Sequence, residues 1–282
     1  MKYRIQQFAT DLALGEGPVW CEQTQALLFV DIERKRICRF YGHSMDVMEL
    51  PDMAGCVVPM YGDTIAAAVK SRIYKIDLQT QKRDLIVSCP VPEYLRFNDG
   101  KCDAAGRLWV GMMAADQSHP KAKGGGSLYC IERGKIAAQY HGFTIPNGMA
   151  WSADGKTFYH IDTAAQRINA YEVERGTVLK NKRTVAFFAA GEGAPDGMCM
   201  DTEGNLWVAL WGGYGVVCLD PATGVRLQRI DVPDKHVSCC TFGGDMLQTL
   251  FITTARDETG DGGNLWSVET DSKGVLPNRY QE

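Results

Sequence analysis

Four segments of the 282-residue chain set an acidic or amide side chain just before a glycine: Glu16-Gly17-Pro18-Val19-Trp20, Asn98-Asp99-Gly100-Lys101, Asn147-Gly148-Met149-Ala150-Trp151 and Asp196-Gly197-Met198-Cys199-Met200. Their spacing is regular. Asp99 and Asn147 are 48 residues apart, Asn147 and Asp196 are 49 apart, and Glu16 and Asp99 are 83 apart, close to two such periods. If the period is a rotation, Glu16, Asp99, Asn147 and Asp196 meet in one ring. Three carboxylates brought together repel one another unless a cation neutralises them. Carboxylate and amide oxygens are hard ligands, suiting calcium, magnesium, manganese or ferrous iron better than zinc or copper. The implied chemistry is an oxygen-ligated divalent ion with water or substrate completing its shell. Taken singly, each segment also reads as a turn, because Glu, Asn and Asp before Gly are ordinary turn residues. The shared register favours the metal reading. The glycine after each polar residue is expected to let the backbone turn tightly into a strand.

The elements that position these residues are strands. No window longer than about 12 residues keeps the i, i+3, i+4, i+7 pattern of an amphipathic helix. Two classes of short apolar run recur instead, separated by Gly, Asp and Asn turns. One class occupies 25–32, 63–69, 106–112, 155–162, 204–210 and 248–254; the second follows it at 36–40, 72–77, 127–131, 167–173, 215–220 and 264–268. Six pairs in 282 residues give a unit of about 47 residues, the length of a four-stranded propeller blade. The chain therefore reads as one all-β domain over residues 1–282, a six-bladed β-propeller whose first strands line a central channel. A β-sandwich or β-helix is the competitor, and neither accounts for strand pairs recurring at so long a period.

Composition narrows the function. A hydrophobic share of 45% with 23% charged residues is that of an ordinary globular chain, and the net charge of −4 offers no basic stripe for nucleic acid. The N-terminus lacks an apolar signal region and no stretch approaches a membrane span, so a cytoplasmic protein is expected. The ten cysteines form no C-x-x-C pair and read as reduced, buried small hydrophobes. His119, His141 and His160 share neither spacing nor register, and His160, inside the strand FYHID, reads as a satisfied core residue. Trp109, Trp151 and Trp207 are expected to pack between blades, with Trp211 and Tyr214 at a pocket rim. The Gly-rich run at 123–127 lacks G-K-[ST] and reads as a loop near the mouth. No G-x-S-x-G elbow occurs, and Ser127, Ser152 and Ser238 lack a partner set for nucleophilic catalysis.

Over nearly its whole length the sequence resembles the gluconolactonase and senescence-marker (regucalcin-like) family of six-bladed propellers, which includes metal-dependent sugar lactonases. The motifs are LGEGPVW at 14–20, RFNDGKCDAAGRLWVGMM at 96–113, IPNGMAWSADGKTFYHIDT at 145–163 and PDGMCMDTEGNLWVALWGG at 195–213. The resemblance implies that Glu16, Asn147 and Asp196 hold one divalent metal ion (calcium, magnesium, manganese, ferrous iron or zinc). It further implies that Asp196 is the general base, that Arg96 and Asn98 bind a sugar lactone, and that Asp116 stands where relatives carry a substrate-binding Glu. Asp99 is left as a residue behind the metal ligands. Water then attacks a carbonyl polarised by the cation while a carboxylate removes its proton. Other readings are a calcium-binding regulatory protein, a propeller scaffold for protein partners, and a hydrolase of other esters or phosphotriesters.

Overall fold

The computed structural model describes residues 3–8 and 10–282. Among these the fold is all-β, its only helical element being one 3-10 turn, Thr163–Ala165. Four sheets are simple four-stranded antiparallel meanders, starting with Gly15–Cys21, Ala54–Pro59, Leu95–Cys102 and Pro146–Trp151. The remaining strands form one eight-stranded sheet. Half of it is the meander starting at Ala194–Met200. The other half starts at His236–Gly243 and is completed by the chain's first strand, Ile5–Phe8, paired antiparallel with Leu265–Glu269. A single residue pair, Trp211 with His236, joins the halves.

The arrangement is propeller-like. The leading strand of each meander touches the leading strand of the next, and His236–Gly243 touches Gly15–Cys21, so the ring closes. These strands are buried along their length, whereas last strands such as Ser44–Glu49 and Arg226–Asp231 lie mostly in solvent. Both faces of each sheet must therefore be covered by neighbours, and the core is a set of layers between sheets built around Trp109, Trp207, Phe97, Phe158 and Phe242. Each such aromatic contributes roughly 1.5–3 kcal/mol by leaving water. The repeated D-x-x-G-x-L-W segments explain themselves here. Asp103 accepts the Trp109 indole N–H at 3.0 Å and Asp201 accepts that of Trp207 at 2.9 Å, while both carboxylates also cap their own hairpin turns through backbone N–H groups.

The tail of the chain crosses the end of the ring away from Glu16. Val275 N–H donates to Met200 O (3.2 Å), Asn278 to Cys102 O (3.2 Å), Tyr280 N–H to Pro59 O (2.9 Å) and Gln281 N–H to Gly106 O (3.0 Å). This strap ties several sheets together across one mouth of the ring, and Glu16 stands toward the other. All ten cysteines are free and buried. The glycine-rich run is a loop only in part, since Gly126 already belongs to the strand Gly126–Glu132.

His160 is fully buried, as expected, but it is packed rather than hydrogen-bonded. Its ring lies 4.9 Å from Phe143 and 5.7 Å from Phe158, and neither nitrogen has a partner. Burial pushes its pKa down from 6.5 to about 3. The unfolded chain therefore takes up a proton below about pH 6.5 that the folded chain refuses, so this residue's contribution is intact above that pH and is lost as pH falls toward 3. The steepest loss is about 1.4 kcal/mol per pH unit. His160→Phe is expected to flatten the fall of the urea midpoint between pH 6 and 4; parallel curves for both proteins would contradict this.

Candidate functional site

Every leading strand carries a β-bulge at the same height. Register slips between Glu16 and Val19, Ala54 and Cys56, Phe97 and Gly100, Pro146 and Met149, Pro195 and Met198, and Val237 and Cys239. A bulge leaves residues outside the ladder and re-aims their side chains. The residues it frees include Asn98, Asp99, Asn147 and Asp196, while Glu16 stands at the edge of its own slip. The ring anticipated from spacing thus exists, with one change of register. Asn98, not Asp99, holds the position of Asn147 and Asp196, and Asp99 falls where the fourth and fifth meanders carry Gly148 and Gly197. Sequence spacing aligned on the glycines hid this offset. The second and sixth leading strands place Gly55 and Ser238 at their bulges, and neither carries the acid-glycine signal.

The glycines act differently from the expectation. Only Gly17 has a left-handed backbone (φ +55°). Gly148 and Gly197 are needed because the neighbouring leading strand passes too close for a side chain, and a Cβ on Gly100 would meet Cys56 Sγ of the neighbouring leading strand at 2.6 Å and Trp109 O of its own sheet at 2.9 Å. A Cβ on Gly148 would stand 2.6 Å from Asp196 O, and one on Gly197 would stand 2.8 Å from the Cα of Cys239. Close strand approach, rather than turning, is what brings the polar groups together.

Glu16, Arg96, Asn98, Asp99, Asn147 and Asp196 are all buried. Arg96 Nη1 donates to Asn98 Oδ1 and to Phe97 O, each at 2.8 Å, and Asn98 Nδ2 donates to Pro146 O at 3.1 Å. Asn147 Nδ2 donates to Asp196 Oδ1 and, at 3.2 Å, to Thr163 Oγ1. Glu16 and Asp99 each accept the N–H of the following glycine, at 2.9 and 2.8 Å. Two buried oxygens have no partner: Asn147 Oδ1 and Asp99 Oδ2.

The electrostatics are those of a crowded anionic pocket. Burial, then Asp99, pushes the Glu16 carboxyl up to about 8, against the opposing pull of the Gly17 N–H and Arg96. Burial, then Glu16 and Asp99, holds Asp196 well above the usual carboxylate range. Asp99 is raised by burial and pulled back by Lys101, whose Nζ donates to Met198 O at 2.7 Å. Burial lowers Arg96 to about 10, opposed by Glu16 and by Glu33 at the rim. Three desolvated carboxyls, of which Glu16 and Asp196 are raised further by their acidic neighbours, beside an unpartnered amide oxygen, form a donor set that suits a hard divalent cation. No cluster of three or more His, Cys, Asp or Glu side chains among the described residues has the arrangement of a metal site by itself. Glu16, Asn147 and Asp196 supply two carboxylates and an amide.

Asp116 is not brought into this ring. It lies in an exposed loop just past Leu108–Ala114, accepting from the N–H and hydroxyl of Ser118 at 2.8 and 2.7 Å. That loop sits at the mouth, where Tyr94 and His119 stack with centroids 4.0 Å apart. Trp211 stacks on His236 at 4.3 Å, and Tyr214 is exposed nearby. Spacing did not reveal Thr163, Lys101 or Ser238. Ser238 Oγ donates to Gly15 O at 2.5 Å; none of the three has a repeated motif to announce it.

An all-β, propeller-like wheel with buried oxygen donors gathered at one mouth defines the class of protein. The chain belongs to the SMP-30/gluconolactonase/LRE-like family, whose model matches residues 14–256. It is similar to regucalcin of Danio rerio, 35% identical over 247 residues covering 86% of this chain and 83% of the relative. Among solved structures it is similar to a luciferin-regenerating enzyme, with TM-score 0.92 and 27% identity across 99% of this chain and 100% of the other. A calcium-binding protein, regucalcin, from Agrobacterium tumefaciens shares the fold with TM-score 0.90 and 24% identity, covering 98% and 97% of the two chains. No helix in the described residues is long and apolar enough to cross a membrane.

If inter-strand closeness is the reason for these glycines, Gly197→Ala forces Cβ against backbone that no rotamer change relieves. A loss of about 1–3 kcal/mol in urea unfolding is expected from such overpacking. A variant as stable as the parent would contradict it.

Proposed function

We propose that the protein is a divalent-metal-dependent hydrolase that opens a sugar-derived lactone to its aldonic acid, built as a single six-bladed propeller. In this reading the eight-stranded sheet is two blades joined at Trp211 and His236. Family membership supports the substrate class. The observation that carries the chemistry is the unpartnered, buried Asn147 Oδ1 beside carboxyls that cannot all ionise without a counter-charge.

Glu16, Asn147 and Asp196 would hold the ion. When bound, the ion polarises the lactone carbonyl and offsets the negative charge that develops on its oxygen. Asp196 takes the proton of the attacking water as an oxygen–carbon bond forms at the carbonyl; the ring C–O bond then breaks, and Asp196 returns that proton to the departing ring oxygen, which becomes the new hydroxyl. Arg96 and Asn98 bind the sugar portion. Their mutual hydrogen bond and the Asn98 link to Pro146 O fix both before substrate arrives, which limits the ordering cost of binding. Arg96 reaches the pocket as a cation, which suits it to hydroxyl or carbonyl oxygens. Asp99 sits behind the ligands, held by Gly100 N–H and by Lys101. Asp116 would contact substrate from the rim, on leaving Ser118.

The test is lactone opening followed with a pH indicator before and after chelation. Activity is expected to fall to the spontaneous rate when metal is removed and to return on adding back a divalent ion; full turnover by the stripped protein would exclude this function. Asp196→Asn is expected to fold and to lose on the order of 10²–10⁴ in kcat, the range for a positioned base. Calcium binding with no turnover on any aldonolactone would favour the regulatory reading instead.

A further inference from the structure

An amide differs from a carboxylate in having two unlike ends, and only its oxygen can ligate a hard cation. Whatever engages the nitrogen of Asn147 and leaves its oxygen free therefore decides whether this residue can serve. Both N–H bonds of Nδ2 are committed, one to Asp196 Oδ1 and one to Thr163 Oγ1, and Oδ1 is left buried and unpartnered.

Thr163 does not owe its position to Asn147. Thr163 N–H donates to Ile145 O at 3.0 Å, while the preceding Asp162 accepts from Thr144 N–H and Ile145 N–H at 3.1 and 2.9 Å. The same clamp recurs in the first meander. There Asp31 accepts from Ala13 and Leu14 N–H at 3.2 and 3.1 Å, and Ile32 N–H donates to Leu14 O at 3.0 Å. Ile32 thus stands where Thr163 stands, and Glu16 where Asn147 stands. In this pair the hydroxyl accompanies the amide, and an apolar side chain accompanies the carboxylate, whose two oxygens need no sorting; Asn98, the other amide of the ring, has Met113 at that position and its Nδ2 is held by Pro146 O instead.

We propose that Thr163 is a positioning residue that holds the Asn147 amide by its nitrogen and keeps its oxygen free to ligate, and so sets the affinity of the site for a divalent cation. This rests on the metal-site reading above. The experiment is calorimetric titration of the chelator-treated full chain with calcium and with manganese ions. Thr163→Val, which keeps shape but removes the hydroxyl, is expected to weaken binding about tenfold or more, in the range for residues that orient metal ligands. Thr163→Ser, which keeps the hydroxyl but loses the methyl group, is expected to bind nearly as the parent. In an Asn147→Asp background, Thr163→Val is expected to have little effect, because that ligand has no wrong end. If packing were the role, Ser would be the weaker variant and the effect would persist in the Asn147→Asp background; either result overturns the proposal. A parent that binds and a Thr163→Val variant that binds equally well overturns it while leaving the metal reading intact. A parent that binds neither ion ends both. Thermal unfolding of each variant confirms that folded protein was compared.

Discussion

Three carboxyl groups are taken out of water and set beside one another, and the rest of the molecule is arranged around that expense. Burial alone disfavours each anion, and proximity compounds it. Arg96 and Lys101 answer part of the charge, since each lies near one or more of these carboxyls. They do not answer the oxygen atoms that lack any partner. A surface loop would relieve such a cluster by swinging apart. Here the groups sit on buried strands that leave no room for a Cβ at Gly100, Gly148 or Gly197, so they stay together.

The ring that enforces this has to be closed to be rigid. Ile5–Phe8 supplies the outermost strand of the last meander, so the two ends of the described chain are joined by four residue pairs of ladder. The tail then fastens the opposite end of the ring through Met200, Cys102, Pro59 and Gly106. The tail thereby crosses one end of the ring, and the acidic residues stand toward the other. The bulges make the link from scaffold to chemistry. Without them, side chains along a leading strand would alternate strictly, and consecutive residues such as Asn98 and Asp99 would not both be freed from the ladder.

Much of this was legible in the sequence. All twelve apolar runs became strands, because a strand buried on both faces needs a dense block of Val, Ile, Leu and aromatics. The outer strands, such as Ser44–Glu49 and Arg83–Ser88, were missed because they face water and carry mixed polar residues. The leading strands Ala54–Pro59 and His236–Gly243 were missed as members of the ring because Gly55 and Ser238 replace the acidic residue. The period placed Glu16, Asp99, Asn147 and Asp196 together, but it gave no sign of Thr163, whose hydroxyl meets Asn147 only in space. Asp116 lies outside the ring because it sits in the exposed loop beyond its strand, where its carboxylate accepts from Ser118.

Glu16, Asn147 and Asp196 are proposed to share one ion. Anomalous diffraction from crystals soaked in manganese measures this directly. The expected result is a single strong peak within about 2.0–2.6 Å of an oxygen from each of the three, the range for hard divalent cations. Peaks elsewhere only, or an occupied site that one of the three does not reach, would contradict it.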